Sequence, residues 1–334
     1  MAFSNSIVVH DEQKDDAVRG GLVDSAIDAM EKYTGVERGY RRAHARGLVC
    51  GGSFLATPAA CELSKAEHFQ GDVVPVQVRL SNAAGSPHAS DHAAKVLGLA
   101  VRFQLPSGRV ASWAAANLPS FVARTPEDFV RITTALKPAL FGKPNPFKIL
   151  WYLLARPSAF GAVKAIATMR PAPSFAHVRF NGVHTYYLNA PRGARQPFRY
   201  YWEPQAGRAA LTCTAKRALP AQYLLTELRS RLSGMPIKWH LVFRFPTSAD
   251  PLDDATRRWP DDRRTIVAGT LTVDRIEEDQ RALETLVFDP TGVVPGIELS
   301  SDPLLRFRAD VYAASHRLRT RETRTSAAPA DLGQ

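Results

Sequence analysis

Arg308, Tyr312 and His316 recur every four residues in SDPLLRFRADVYAASHRLR, the stretch from Ser301 to Arg319. Asp302 is a fair N-cap there, and Pro303 suits the first helical position, where a missing N–H costs nothing. The stretch therefore reads as a helix, with the three side chains on one face. A guanidinium one turn from a phenol favours the ionised phenol, and a phenolate is a hard anionic ligand for ferric iron. The same spacing also fits an ordinary half-buried aromatic beside solvated arginines, so the rest of the chain has to decide.

A second candidate is His44, which sits among Arg41, Arg42 and Arg46. A positive surround resists protonation of the ring, and a neutral imidazole at working pH is what a general base requires. A lone histidine near a strand start also fits a surface or core-satisfied residue.

The elements that must position these groups follow from periodicity. Residues 15–33 carry Val23, Ile27 and Met30 at helical spacing. Strand chemistry begins around the glycines of 36–60. In VVPVQVRLS (73–81), Val74, Val76, Val78 and Leu80 alternate with Gln77, Arg79 and Ser81, which predicts a strand with one polar face. VLGLAVRFQ (96–104) and SWAAANLPSFVAR (to Arg124) follow as strands. Thr125-Pro126 opens a largely helical insert over about 126–172, broken near Lys143–Pro146 and at Pro157. Strand patterns return in FAHVRFNGVHTYYLN, RQPFRYYWEP, RAALTCTA, IKWHLVFRFP and TIVAGTLTVDRI, with a helix at 221–232. Roughly eight strands in two groups predict an α+β fold, an antiparallel barrel with flanking helices. An N-terminal helical arm (1–40) would precede the 41–319 domain, and a polar, disordered tail (320–334) would follow it.

Composition bounds the partners. The 334 residues carry a net charge of +11 with 45% apolar content, ordinary for a globular chain. No tight basic cluster with interleaved aromatics supports nucleic acid, so the excess reads as solvated surface or as carboxylate and phosphate pairing. The basic, apolar 137–170 block fits a solvated helical face and also a membrane-surface contact. Its Ile149–Met169 run is interrupted by Arg156 and Lys164, so no stable membrane insertion is expected. Cys50, Cys61 and Cys213 form no CxxC and read as free thiols of a reducing compartment. Asp11, Glu12, Asp15 and Asp16 leave no room for a signal peptide, and a cytoplasmic location is the expectation.

Several stretches, in order, carry recognisable motifs. RRAHARG resembles R-x-x-H-A-x-G. VQVRLSNAAG and LGLAVRF resemble the strand motifs that follow it, and NLPSFVARTPEDF resembles N-x-P-x-F-F-x-R-x-P-x-x-F. NGVHTYYLN is similar to a shortened N-G-x-G-S-H-T-F-x-x-x-N, and DDATRRWP resembles D-x-T-K-x-W-P. FDPTGVVPGIELSSDPLLRFRADVYAASHRLR resembles the long proximal motif. Taken together and in this order, the stretches resemble one family, the haem catalases, over about residues 40–319. The resemblance implies haem b as cofactor, with Tyr312 as axial iron ligand and Arg308 holding it ionised. It implies His44 as distal proton relay, Ser81 as the partner that sets its tautomer, and Arg41, Arg79 and Arg319 on the propionates. Phe129 would pack on the distal haem face and Phe121 in the peroxide channel.

Three departures bear on activity, one being the absence near Ser112 of the channel aspartate of typical catalases, which would weaken the field drawing hydrogen peroxide inward. The family's distal asparagine falls at Ala116, while a one-residue shift would give the role to Asn117. The chain end soon after Arg319 resembles the minimal catalase-related peroxidases, and a homodimer would follow from the missing tetramer-locking parts. The implied function is a haem-dependent peroxidase acting on organic hydroperoxides and hydrogen peroxide, with weak catalase activity at most and a small-molecule electron donor. A lipid hydroperoxide isomerase of the allene oxide synthase kind and a non-catalytic haem-binding protein are the other readings.

Overall fold

The computed structural model describes residues 5–92, 95–137 and 144–327. The 138–143 part of the insert and the tail beyond Ala327 lie outside them. Eight strands form the body: β1 (Gly47–Ala56), β2 (Val73–Asn82), β3 (Leu97–Gln104), β4 (Val110–Ala116), β5 (Phe180–Asn189), β6 (Arg195–Pro204), β7 (Ile237–Arg244) and β8 (Thr265–Ile276). They pair antiparallel in the order β4-β3-β2-β1-β8-β7-β6-β5, and Ala116 on β4 meets Asn181 on β5 to close the barrel. A three-residue β9 (Ile297–Leu299) pairs with the far end of β5.

The barrel interior is full. Alternation sends Phe54, Phe103, Trp113, Phe198, Trp202 and Phe243 inward, all within one buried cluster. An eight-stranded barrel is just wide enough for side chains to fill it, so a cofactor-sized ligand has to sit outside the wall. Curvature is taken up at Gly51/Gly52, where the register with β8 shifts and a Cβ on Gly52 would lie 2.0 Å from the Thr272 carbonyl. On β2, Val74, Val76, Val78 and Leu80 face the core, while Arg79 and Ser81 face outward. Gln77 shares that face but accepts a hydrogen bond from Arg102 Nη1 at 2.8 Å and lines no part of the cavity.

Nine helices flank the barrel among the described residues: α1 (Asn5–Thr34), α2 (Pro58–Leu63), α3 (Pro126–Ala135), α4 (Pro146–Ala155), α5 (Phe160–Thr168), α6 (Cys213–Arg217), α7 (Tyr223–Leu232), α8 (Gln280–Leu283) and α9 (Pro303–Ala327). Proline opens α3, α4 and α9. Thr125, Asn145 and Asp302 cap them by accepting from Asp128 N, Phe147 N and Leu304 N. None of the described helices is long and apolar enough to cross a membrane.

Three expectations change. RAALTCTA makes no strand, because Thr212 accepts from Ala215 N at 3.0 Å and starts α6. Residues 117–124 leave the sheet, since Pro119 has no N–H for the ladder. The polar tail is not disordered from 320. α9 runs on to Ala327, and Glu322 accepts from Gly39 N at 2.9 Å and pairs with Arg42. The N-terminal helix packs as a cover, with Val23, Ala26, Ile27 and Met30 of α1 against Leu304, Phe307 and Ala314 of α9.

Candidate functional site

A cavity of about 380 Å³ lies between the outer face of β2–β4 and helices α1, α3 and α9. The loop before β1 contributes His44, whose φ of +55° is the left-handed region, costing a non-glycine residue about 1–3 kcal/mol. His44 Nδ1 lies 3.0 Å from Ser81 Oγ, so Nε2 remains for the cavity that the ring lines. Glycine makes room for the pair. Ser81 is in register with Gly47 on β1 and Gly98 on β3. A Cβ on Gly98 would sit 3.0 Å from both the His44 ring and Ser81 Oγ.

Burial, then the charges of Arg79, Arg308 and Arg41, push His44 down to about 3. The expected positive surround is therefore present, but mostly from other residues. Arg42 turns away to Glu31 of α1 and Glu322 of α9, and Arg46 turns to Asp91.

α9 supplies the other chemistry. Arg308 Nη2 donates to Tyr312 Oη at 3.0 Å, and Arg308 Nη1 lies 3.0 Å from His184 Nε2. His184 Nδ1 is in turn 2.7 Å from Asp302 Oδ2, and the other oxygen of Asp302 caps the helix. Since a guanidinium only donates, His184 Nε2 accepts and Nδ1–H donates to the carboxylate. Burial holds His184 below its usual range, against the pull of Asp302. One chain of contacts thus runs from a helix cap through the barrel strand β5 to the Tyr312 oxygen. Burial works against the charge of Arg308, yet Tyr312, Tyr186 and Tyr200 raise it above the ordinary arginine value. His184 and the second role of Asp302 were not picked out from sequence; the histidine of NGVHTYYLN was the available signal. His316 lies 3.5 Å from Thr320 Oγ1 and does not line the cavity.

At one rim, Arg41, Arg79 and Arg319 converge on residues 284–286. Arg41 pairs with the Glu284 carboxylate and donates to Leu286 O at 2.6 Å. Arg319 donates to Glu284 O at 2.9 Å and Leu286 O at 3.1 Å. Arg79 reaches Ala45 O at 3.1 Å, stands 3.6 Å from Glu284, and leaves its buried Nε without a partner. Burial, then the charge of Arg41, push Arg79 down to about 9 and Arg319 to about 10. Three cations thus face one carboxylate, an excess that a ligand with two carboxylates would neutralise.

Phe121 and Phe129 line the cavity with ring centroids 6.1 Å apart. Asn117 does not line it. Its Oδ1 accepts from Leu97 N at 2.9 Å and its Nδ2 donates to Lys95 O at 3.1 Å, so the amide is spent locking β3 to the chain after β4. The position that faces the cavity is Ala116, together with Ala114 and Ala115. This corrects Asn117 as a catalytic candidate.

Comparison with known proteins agrees with this geometry. The family model described as Catalase matches residues 8–329. A catalase-related peroxidase of Mycolicibacterium paratuberculosis is 34% identical over 93% of this chain and 99% of its own length. A catalase-related peroxidase of Synechococcus elongatus is 34% identical over 91% of each chain. Against the solved structure of a bacterial catalase the TM-score is 0.75, at 24% identity, over 85% of this chain and 58% of that one. The barrel wall, the helices laid on it and the collinear motifs have one common origin: the chain belongs to the catalase family.

Proposed function

We propose that this protein is a haem-dependent peroxidase that reduces organic hydroperoxides and hydrogen peroxide, with weak catalase activity at most. The observation that carries the reading is a single cavity lined by the neutral His44–Ser81 pair, the Arg308-held Tyr312 oxygen and an arginine rim with two cations in excess. That donor set suits haem b: Tyr312 Oη for the iron, Arg41, Arg79 and Arg319 for the two propionates, and Phe129 among the apolar side chains around the ring. The buried Nε of Arg79 has no partner within the protein and leaves one donor for a bound anion. Haem, when bound, would supply a redox-active iron centre and the two electrons that reduce the peroxide bond.

The chain's own residues move the proton. Ser81 Oγ engages His44 Nδ1 and leaves Nε2 as the base. His44 Nε2 accepts the hydroperoxide proton and returns it to the leaving oxygen, which departs as alcohol or water. A small organic donor then restores two electrons. Dismutation instead requires a second peroxide held in order, and Ala114–Ala116 offer no side-chain hydrogen bond to place it.

The test is turnover of the haem-loaded protein with an organic hydroperoxide and a reducing dye, beside oxygen evolution from hydrogen peroxide. The first is expected to exceed the second; steady oxygen evolution at ordinary catalase rates would overturn the ordering. Tyr312→Phe should change the haem spectrum and lower turnover by about a hundredfold or more. An epoxide product formed without consumption of reductant would point to an isomerase instead.

A further inference from the structure

We propose that α4 and α5 form a docking face for an anionic lipid bilayer, from which acyl-chain hydroperoxides reach the cavity. The delivery half rests on the peroxidase reading above; the docking half does not.

Phe147, Leu150, Trp151 and Leu154 fall at i, i+3, i+4 and i+7 of α4, one stripe along one face. That stripe points to water: the four are 70%, 52%, 72% and 63% exposed, and Phe160 at the start of α5 is 57% exposed. Burying such residues is the usual outcome for a helix in a globular protein, and a contiguous exposed set marks a contact surface. The inward side of α4 is satisfied separately. Tyr152 is buried and donates to Val122 O at 2.9 Å. Val122, Phe129 and Ile132 pack beside it and also line the cavity. The stripe therefore lies on the outer side of the cavity wall.

Charge identifies the partner. Between Asp128 and Glu203 the chain has no acidic residue. Eleven of its 43 Lys and Arg fall in that stretch; Arg131 and Arg156 pair with Asp128, Arg179 with Glu203 and Arg195 with Glu298, all carboxylates outside the two helices. Lys148 and Lys164 are exposed on α4 and α5, and no carboxylate pairs with either among the described residues. An apolar stripe with tryptophan and phenylalanine, flanked by unpaired lysines on a helix too short to span, is the pattern of an element lying in the interface of an anionic membrane. A protein partner reading this face would have to bring its own carboxylates; a second copy of this stretch has none.

Trp151 gives a direct readout, because Trp113, Trp202, Trp239 and Trp259 are at most 3% exposed. The haem-loaded full chain is mixed with vesicles of phosphatidylglycerol and phosphatidylcholine, or of phosphatidylcholine alone, and followed by flotation and tryptophan emission. Binding to the anionic vesicles is expected, weakened by salt, with blue-shifted emission that brominated acyl chains quench. Phe147→Ser with Trp151→Ser should lower partition about tenfold or more. The rate with a water-soluble hydroperoxide should be unchanged. Lys148→Glu with Lys164→Glu should weaken anionic vesicles selectively.

Absence of flotation with any vesicle overturns the docking face, as does flotation indifferent to both variants. A change of oligomeric mass in the variants, without vesicle binding, would make the face an interface between copies and overturn it too. Faster turnover of bilayer-embedded hydroperoxide by the unmodified protein than by the Ser variant supports delivery, and equal rates sink it. Vesicle binding by a protein that turns over no hydroperoxide would defeat the peroxidase reading and leave the docking face standing.

Discussion

Ser81 stands between two glycines, Gly47 and Gly98, and that arrangement explains residue types that spacing alone leaves unexplained. The His44 ring needs the volume where a third Cβ would go. Gly98→Ala brings a methyl to 3.0 Å from the imidazole and from Ser81 Oγ, so one of them must shift. Expected is a loss of hydroperoxide turnover of at least tenfold at nearly unchanged Tm, because the strand ladder is untouched. Retained full turnover, measured with the haem spectrum intact, would show that the pair tolerates displacement. His44 itself was legible from its arginine neighbourhood, although two of the three arginines adjacent in sequence point elsewhere. The charges that keep it neutral come mainly from β2 and α9, which only folding brings close.

At the scale of elements, α9 is organised by the residue that caps its N-terminus. Asp302 caps the helix with one oxygen and receives His184 Nδ1–H on the other. Asp302→Ala loses a cap worth about 1 kcal/mol and strands a buried imidazole donor at about 1–3 kcal/mol. A destabilisation of about 2–4 kcal/mol in urea unfolding follows. Asp302→Asn keeps a cap oxygen but presents an amide N–H₂ or a single acceptor to His184. It should recover part of the stability while disturbing Arg308 and hence the Tyr312 environment, visible in the haem spectrum. Full recovery of both would separate the helix cap from the tyrosine. The face shared by Arg308 and Tyr312 was readable from helical period alone; the continuation to Ala327 was not, because Arg42 and Gly39 hold those turns from a distant segment.

The whole molecule carries buried histidines that resist protons. His68 is 0% exposed inside the barrel, stacked on Phe103 at 4.7 Å with neither ring nitrogen partnered, and burial pushes it down to about 3. Unfolded histidine takes its proton near pH 6.5, whereas folded His68 and His44 resist until about pH 3. The unfolded chain therefore binds more protons throughout that window. Stability from these groups is complete above pH 6.5 and falls as pH drops toward 3. At pH 5 the loss from His68 alone is about 2 kcal/mol. His68→Leu should narrow the gap between urea midpoints at pH 8 and pH 5 by a comparable amount. An unchanged gap would mean that the ring finds a proton partner within the barrel.

The one-dimensional order of the chain determined what depends on local period and spacing. Helical repeats put Arg308 and Tyr312 together, strand alternation put Arg79 and Ser81 on one face of β2, and the collinear motifs named the family. Sidedness and convergence needed the tertiary structure. Ala116 and Asn117 are neighbours, yet Ala116 ends β4 opposite Gly98 and lines the cavity, while Asn117 lies just past the strand and turns its amide back to Leu97 N and Lys95 O. His184, Glu284 and the arginine rim come from segments far apart in sequence, joined where β5 and α9 meet and where Arg41, Arg79 and Arg319 converge on residues 284–286. The cavity lies outside the barrel because eight strands leave only enough interior for their own side chains. Periodicity is written residue by residue; which face meets which is decided by pairing across the whole chain.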